Sequence, residues 1–150
     1  MQDRELLIEV KDLCKSYGEN TVLENLSTNI YRGEVIAIVG PSGCGKSTFL
    51  RSLNLLERPE SGEILFNGVD ITDKKVNINK VREKIGMVFQ SYELFPHKTV
   101  IENIILAPTK VQKRNKEEVT KEAIELLDKV GLSDKKDYYP RQLSGGQKQR

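Results

Sequence analysis

The run Val35-Ile36-Ala37-Ile38-Val39-Gly40-Pro41-Ser42-Gly43-Cys44-Gly45-Lys46-Ser47-Thr48 carries an apolar strand straight into a glycine-rich turn. Five consecutive apolar residues, four of them β-branched, read as a strand buried on both faces of a parallel sheet. The spacing Gly40-x4-Gly45-Lys46-Ser47 then marks a loop in which glycines let backbone N–H groups turn toward one point. The helix expected from Gly45 to about Leu56 presents its positive end to the same point. Lys46 supplies a mobile point charge and Ser47 a hydroxyl suited to a hard cation. Together these residues predict a cradle for a triphosphate. The bland alternative, a glycine-rich turn between strand and helix, explains neither the lysine nor the serine.

Outward from this loop the chain alternates. Leu6 to Val10 and Val22 to Ile30 read as strands, with Gly18 and Arg32-Gly33 as turns. Ile64-Leu65-Phe66, Asn67-Gly68, Val69-Asp70-Ile71 reads as a hairpin on a type I′ turn, and Ile85 to Phe89 as another short strand. After Gln90 the period becomes helical. Thr99 and Glu102 form a capping box that opens a helix over Val100 to Leu106, ending at Pro108. Asn115 and Glu118 open a second helix with an apolar face of Val119, Ala123, Leu126, Leu127 and Val130, closed by Gly131. Ser144 and Gln147 form a further capping box.

The bulk properties narrow the function. The chain has 150 residues, 37% apolar and 31% charged, and 24 basic against 22 acidic side chains leave a formal charge of +2. That balance offers no footprint for a nucleic acid. No stretch approaches the ~18 apolar residues of a spanning helix. The opening Met1-Gln2-Asp3-Arg4-Glu5 is charged, with no apolar export segment behind it. Cys14 and Cys44 are the only cysteines. A disulfide would tether the loop that must close on a ligand, so a reducing compartment fits better.

Leu143-Ser144-Gly145-Gly146-Gln147 is a second candidate anion site, with paired glycines at a helix start and a serine hydroxyl but no lysine. Alone, it is equally an ordinary helix cap with a flexible lead-in. The order of phosphate loop, Gln90 after a short strand, and this second loop resembles the nucleotide-binding subunits of ABC transporters. Within them the likeness is to polar amino-acid uptake systems. It is carried by Leu53-Asn54-Leu55-Leu56-Glu57-Arg58-Pro59, Gly86-Met87-Val88-Phe89-Gln90, Leu94-Phe95-Pro96-His97, Ala107-Pro108 and Tyr139-Pro140.

The resemblance implies an α/β fold: a P-loop NTPase core sheet of the ABC ATPase type, an antiparallel β layer and a helical subdomain. Residues 1–90 would form the nucleotide-binding core with the β layer, and residues 91–150 the helical subdomain. It implies ATP held by Gly40, Pro41, Ser42, Gly43, Cys44, Gly45, Lys46, Ser47 and Thr48, with Lys46 catalytic. Tyr17 would stack on adenine beside Val22; read without the likeness, these are a turn residue and a strand valine. Gln90 would share Mg²⁺ with Ser47, contact the attacking water and sense the membrane domain. Two subunits would pair head to tail, Leu143 to Gln147 of each closing on the other's ATP.

A transmembrane permease and an extracytoplasmic amino-acid-binding protein are the further partners implied. The location implied is cytoplasmic, peripheral on the inner face of the cell membrane. His97, the only histidine, stands in the segment that faces the permease in relatives and is not assigned to catalysis. Two other functions compete: a nucleotide-binding module without turnover, and a non-transport ATPase of the same family. No apolar strand ending in Asp-Glu is found, so the sequence reads as an N-terminal portion whose strand Val35 to Val39 keeps an unpaired edge. The 150-residue chain made alone is therefore expected to be marginally stable, with no appreciable phosphate release from ATP. Turnover equal to that of a complete relative would refute this.

Overall fold

The computed structural model describes residues 4–150, so the charged start Met1-Gln2-Asp3 lies outside the described residues. The chain divides into two compact units, Met1–Gly86 and Met87–Arg150.

The first unit is built on an antiparallel sheet with strand order β2-β1-β3-β4. β1 spans Leu6–Tyr17, β2 Asn20–Tyr31, β3 Ser61–Phe66 and β4 Val69–Asp70. The strands expected at the N-terminus and in the Asn67-Gly68 hairpin are present, and the first two run longer than their apolar cores. The hairpin between β3 and β4 turns on Asn67 (φ 50°) and Gly68 (φ 75°), the left-handed pair a type I′ turn demands.

β1 shows how one irregularity keeps a core in phase. Ile8 and Val10 are buried, which sets an even-numbered inward face, yet Leu13 is fully buried too. Asp12 is a bulge with φ 46°, and its extra residue shifts the alternation by one. The bulge is held by Ser27, whose Oγ accepts from the Asp12 N–H at 2.8 Å. Gly62 of β3 lies against it, and a Cβ there would meet the Asp12 and Lys11 carbonyls at 2.6 Å. Leu13, Ile64 and Ile71 form the centre of the core, onto which helix α1 (Lys46–Ser52) sets Phe49 and Leu53. α1 stops earlier than its sequence suggests: Leu55 adopts φ 54°, and Arg82 at the end of α2 (Ile78–Arg82) donates to the carbonyls of Asn54 and Leu55.

Two expected strands do not form. Val35 to Val39 and Ile85 to Phe89 join no ladder among the described residues, so the parallel core sheet is absent there. Val35 is 101% exposed and Val39 88%, where burial on both faces was expected. A strand of this kind needs a hydrogen-bonded neighbour and covering layers. Here it runs as extended chain into the glycine loop, and Ile36 and Ile38 line an open groove of about 290 Å³ with Leu26, Ile30, Phe49 and Leu53.

The second unit is helical. α3 spans Val100–Lys110, α4 Lys116–Lys129 and α5 Gly145–Gln149. α3 and α4 pack through Ile105, Val119 and Ala123. The Thr99–Glu102 capping box is complete, and the Thr99 N–H bound to the Glu102 carboxylate lowers that group's pKa. The box is therefore fully formed above the ordinary carboxylate pKa and is lost as pH falls through the lowered value. α3 passes through Pro108 instead of stopping there. The missing N–H falls in the last turn, where the Thr109 hydroxyl donates to the Ile105 carbonyl at 2.7 Å. On α4, Asn115 caps the N-terminus as expected and Gly131 (φ 67°) follows the C-terminus, but Leu126 is exposed; Val119, Ala123 and Leu127 alone are buried, an i, i+4 row.

Truncating Ile64 to alanine should destabilise the first unit by roughly 2–5 kcal/mol, as large-to-small changes in a closed core do. Denaturant unfolding of the complete subunit reads this directly; a loss near zero would mean the β layer is not the core it is taken to be.

Candidate functional site

The glycine loop is shaped by its backbone. Gly43 and Gly45 take φ 82° and 90°, values that a side chain would strain. Gly45 is buried against β2: a Cβ on it would meet Val22 Cγ1 at 2.8 Å and the Val22 carbonyl at 2.9 Å. Only glycine lets the loop seat this closely. A Cβ on Gly40 would likewise meet Cys44 Sγ at 2.8 Å, so the loop closes on itself from both ends.

Helix α1 begins at Lys46 with Gly45 as its N-cap and no side-chain hydrogen bond to its first amides. Among the described residues the other four α-helices are each capped by a side chain: Asn77, Thr99, Asn115 and Ser144. The first N–H groups of α1 are thus left to an outside acceptor, and unsatisfied amides at a helix start favour an anion. Lys46 bends back over the loop, its Nζ donating to the carbonyls of Gly40 at 2.8 Å and Pro41 at 2.7 Å and lying 3.6 Å from Cys44 Sγ. Its ammonium is held at the loop by weak, exchangeable partners. Ser42 and Ser47 are exposed, and Thr48 is half-buried with its carbonyl accepting from the Ser52 hydroxyl at 2.8 Å.

The β1–β2 hairpin brings Tyr17 and Val22 to the same unit as the loop. Tyr17 ends β1 beside the Gly18 turn, 46% exposed, with Lys15 Nζ 5.1 Å from its ring centre. Val22 is half-buried and packs on Gly45. An exposed aromatic face at the hairpin tip, and an aliphatic side chain packed on the glycine loop, are each suited to a flat base.

The second unit holds the other two elements. Gln90 lies exposed in a turn with its side-chain oxygen available as a hard donor. Leu143 is buried, and Ser144 caps α5: its Oγ accepts from the Gln147 N–H at 3.3 Å while Gln147 Oε1 accepts from the Ser144 N–H at 2.9 Å. Gly145 and Gly146 follow, and Gly146 has open space where a Cβ would stand. His97 is exposed, its ring edge-on to Phe95 at 6.0 Å.

Three features of this unit escape sequence reading. The Tyr92 hydroxyl sits 3.0 Å from where a Cβ on Gly145 would be, so a larger residue there would press on a side chain 53 positions away. Arg150 Nη1 donates to the Val130 carbonyl at 2.9 Å, tying the end of α5 to the end of α4. Asn103 makes several bonds to the loop before α3. The first two contacts join distant positions, the third spans four to eight residues, and no periodicity signals any of them.

Comparison with known proteins identifies the family of the chain. The family described as ABC transporter matches residues 23–150. The chain is 57% identical to the arginine transport ATP-binding protein ArtM of Bacillus subtilis (strain 168), over 96% of this chain and 60% of that protein. It is 59% identical to the L-cystine import ATP-binding protein TcyC of the same organism, with the same coverage. The glutamine transport ATP-binding protein GlnQ of Escherichia coli (strain K12) shares 49% identity. The chain thus spans about 60% of the length of these relatives. Among solved structures, the dimeric bacterial ABC transporter cassette MJ0796 matches at a TM-score of 0.85 and 37% identity, covering 95% of this chain and 65% of that one. The same cassette in a post-hydrolysis dimer bound to ADP and Pi matches at 0.84 and 36%, covering the same shares. An uncapped α1 behind a lysine-bridged glycine loop, on an α/β fold shared with these cassettes, makes this chain a member of the ABC transporter family.

Proposed function

We propose that the complete subunit binds ATP at the Gly40–Thr48 loop and hydrolyses it to drive amino-acid import through a membrane permease. The observation that carries this is the pairing of α1's uncapped amides with the Lys46 ammonium resting on the Gly40 and Pro41 carbonyls. Phosphate oxygens are stronger acceptors than those carbonyls, so an entering triphosphate exchanges weak partners for strong ones. Tyr17 and Val22 take the base, and the exposed Ser47 hydroxyl and Gln90 amide oxygen are the groups that would hold Mg²⁺. Bound there, the ion would neutralise charge on the transferring phosphoryl group.

The second glycine loop supplies the other half of a composite site. Ser144, Gly145 and Gly146 present a hydroxyl and backbone amides without a lysine, a complement to the lysine-bearing loop of a second copy. The relatives named for arginine, L-cystine and glutamine transport support an amino-acid cargo, and the dimeric cassettes support pairing of two copies, which this reading arranges head to tail. Among the described residues no helix is long and apolar enough to cross a membrane; in this reading a membrane permease is the coupling partner, with Phe95, Pro96 and His97 facing it and the subunit held at the inner membrane face. An extracytoplasmic binding protein would deliver the cargo. A nucleotide-binding role without turnover is the competing reading, and phosphate release by the complete subunit separates the two.

Calorimetry on the complete subunit should register Mg-ATP uptake that Lys46→Ala weakens by about tenfold or more, the scale of losing one charge-assisted contact. Unchanged uptake would remove the loop from the site. Ser144→Arg should leave ATP binding intact and abolish ATP-dependent dimers in sedimentation; persistence of those dimers would defeat the composite site.

A further inference from the structure

Lys15 stands two residues before Tyr17 on β1, so the two side chains leave the same face of the strand. The Lys15 Nζ lies 5.1 Å from the centre of the Tyr17 ring, within the range of a cation–π contact. Lys15 is half-buried, and among the described residues no carboxylate pairs with it. No other ring or cation lies against Tyr17 among the described residues. The ring thus carries a cation on one face, and its exposure leaves surface for a second planar group.

The backbone under this pair is fixed from both sides. On the β3 side Glu60 brackets Lys15: its N–H donates to the Cys14 carbonyl at 3.0 Å, and its carboxylate accepts from the Ser16 N–H at 3.2 Å. On the β2 side Lys15 pairs with Leu23 and Ser16 with Thr21, so Val22 is an extra residue in the ladder. Val22 is also the residue on which Gly45 seats. The irregularity in the hairpin therefore falls where the glycine loop arrives, and Tyr17 pairs with Asn20 two positions beyond it. A ligand with phosphates at the start of α1 and a flat group attached has the Lys15–Tyr17 pair on the neighbouring stretch of hairpin.

We propose that Lys15 is a positioning residue for the nucleotide base: its ammonium holds the Tyr17 ring in one orientation, so the base meets a platform set in advance. This rests on the reading above that Tyr17 takes the base. Lys15 acts through the ring and not on the phosphates, whose counter-charge is Lys46 in the glycine loop. A ring already held loses less freedom when the base stacks on it, and that saving appears as affinity.

The test is calorimetry on the complete subunit with two probes, Mg-ATP and inorganic tripolyphosphate with Mg²⁺, which has the phosphates and no base. Lys15→Met keeps an apolar stem without the charge. It should weaken Mg-ATP binding by about threefold, the scale of one exposed cation–π contact, and leave tripolyphosphate binding unchanged. Lys15→Arg keeps a cation over the ring and should bind Mg-ATP as the unaltered subunit does. Tyr17→Ala should weaken Mg-ATP binding by about tenfold, as loss of a stacking ring does, and adding Lys15→Met to it should cost nothing more.

A Lys15→Met loss shared by tripolyphosphate would place the lysine's effect on the phosphates or the fold and overturn the proposal. Tighter Mg-ATP binding by Lys15→Met would mean that the lysine covers the face the base needs, and overturns it too. So would an equal loss in Lys15→Arg, or a further threefold loss when Lys15→Met is added to Tyr17→Ala. Unchanged Mg-ATP binding by Tyr17→Ala would sink the base seat itself and the role of Lys15 with it. A Tyr17→Ala loss beside unchanged binding by Lys15→Met sinks only Lys15.

Discussion

The close seat of Gly45 on Val22 is the constraint from which the first unit's functional geometry follows. With no Cβ, the loop approaches the second strand to a distance that any other residue would deny it. That contact brings the glycine loop up to the β1–β2 hairpin, whose tip carries Tyr17, and sets the direction in which α1 leaves. It also ties the glycine loop to the antiparallel layer. The bulge at Asp12, braced by Ser27 and accommodated by Gly62, serves the same end, because it lets a long β1 keep Leu13 in the core while its far end reaches Tyr17.

Electrostatically the loop is arranged for exchange. An ammonium with no partner would be solvated and mobile; one locked in an ion pair would resist a ligand. Lys46 has neutral carbonyl partners from its own loop, which hold it close while leaving its charge uncompensated. The second glycine loop is built differently. Ser144 and Gln147 satisfy one another's backbone, so α5 is a formed helix start before any anion arrives. One loop brings charge and open amides; the other brings a preset shape. A site assembled from both would divide the work of binding and of closing.

Much of this was legible in the chain itself because the signals are local. The Asn67-Gly68 turn, the three capping residues Thr99, Asn115 and Ser144, and the Gly131 stop each depend on residues within a few positions of one another, and each is present. The turn at Gly43 and Gly45 and the helix start at Lys46 were equally readable, since glycine spacing marks the one and opens the other. Strand expectations at Val35 to Val39 and Ile85 to Phe89 failed for the opposite reason. An apolar run states a demand for burial and for ladder partners, but it does not contain those partners.

The sequence by itself determined where α3, α4 and α5 begin and where the Asn67-Gly68 hairpin turns, because short-range sterics and hydrogen bonding settle these matters within one turn of chain; the short α2 carried no such signal. Tertiary structure alone decided that Gly45 must be glycine against Val22, that Tyr92 comes to rest over Gly145, and that Asn103 clamps a turn eight residues before it. Those outcomes depend on which surfaces meet after folding, and close approach between segments distant in the chain leaves no mark in the local pattern of residues.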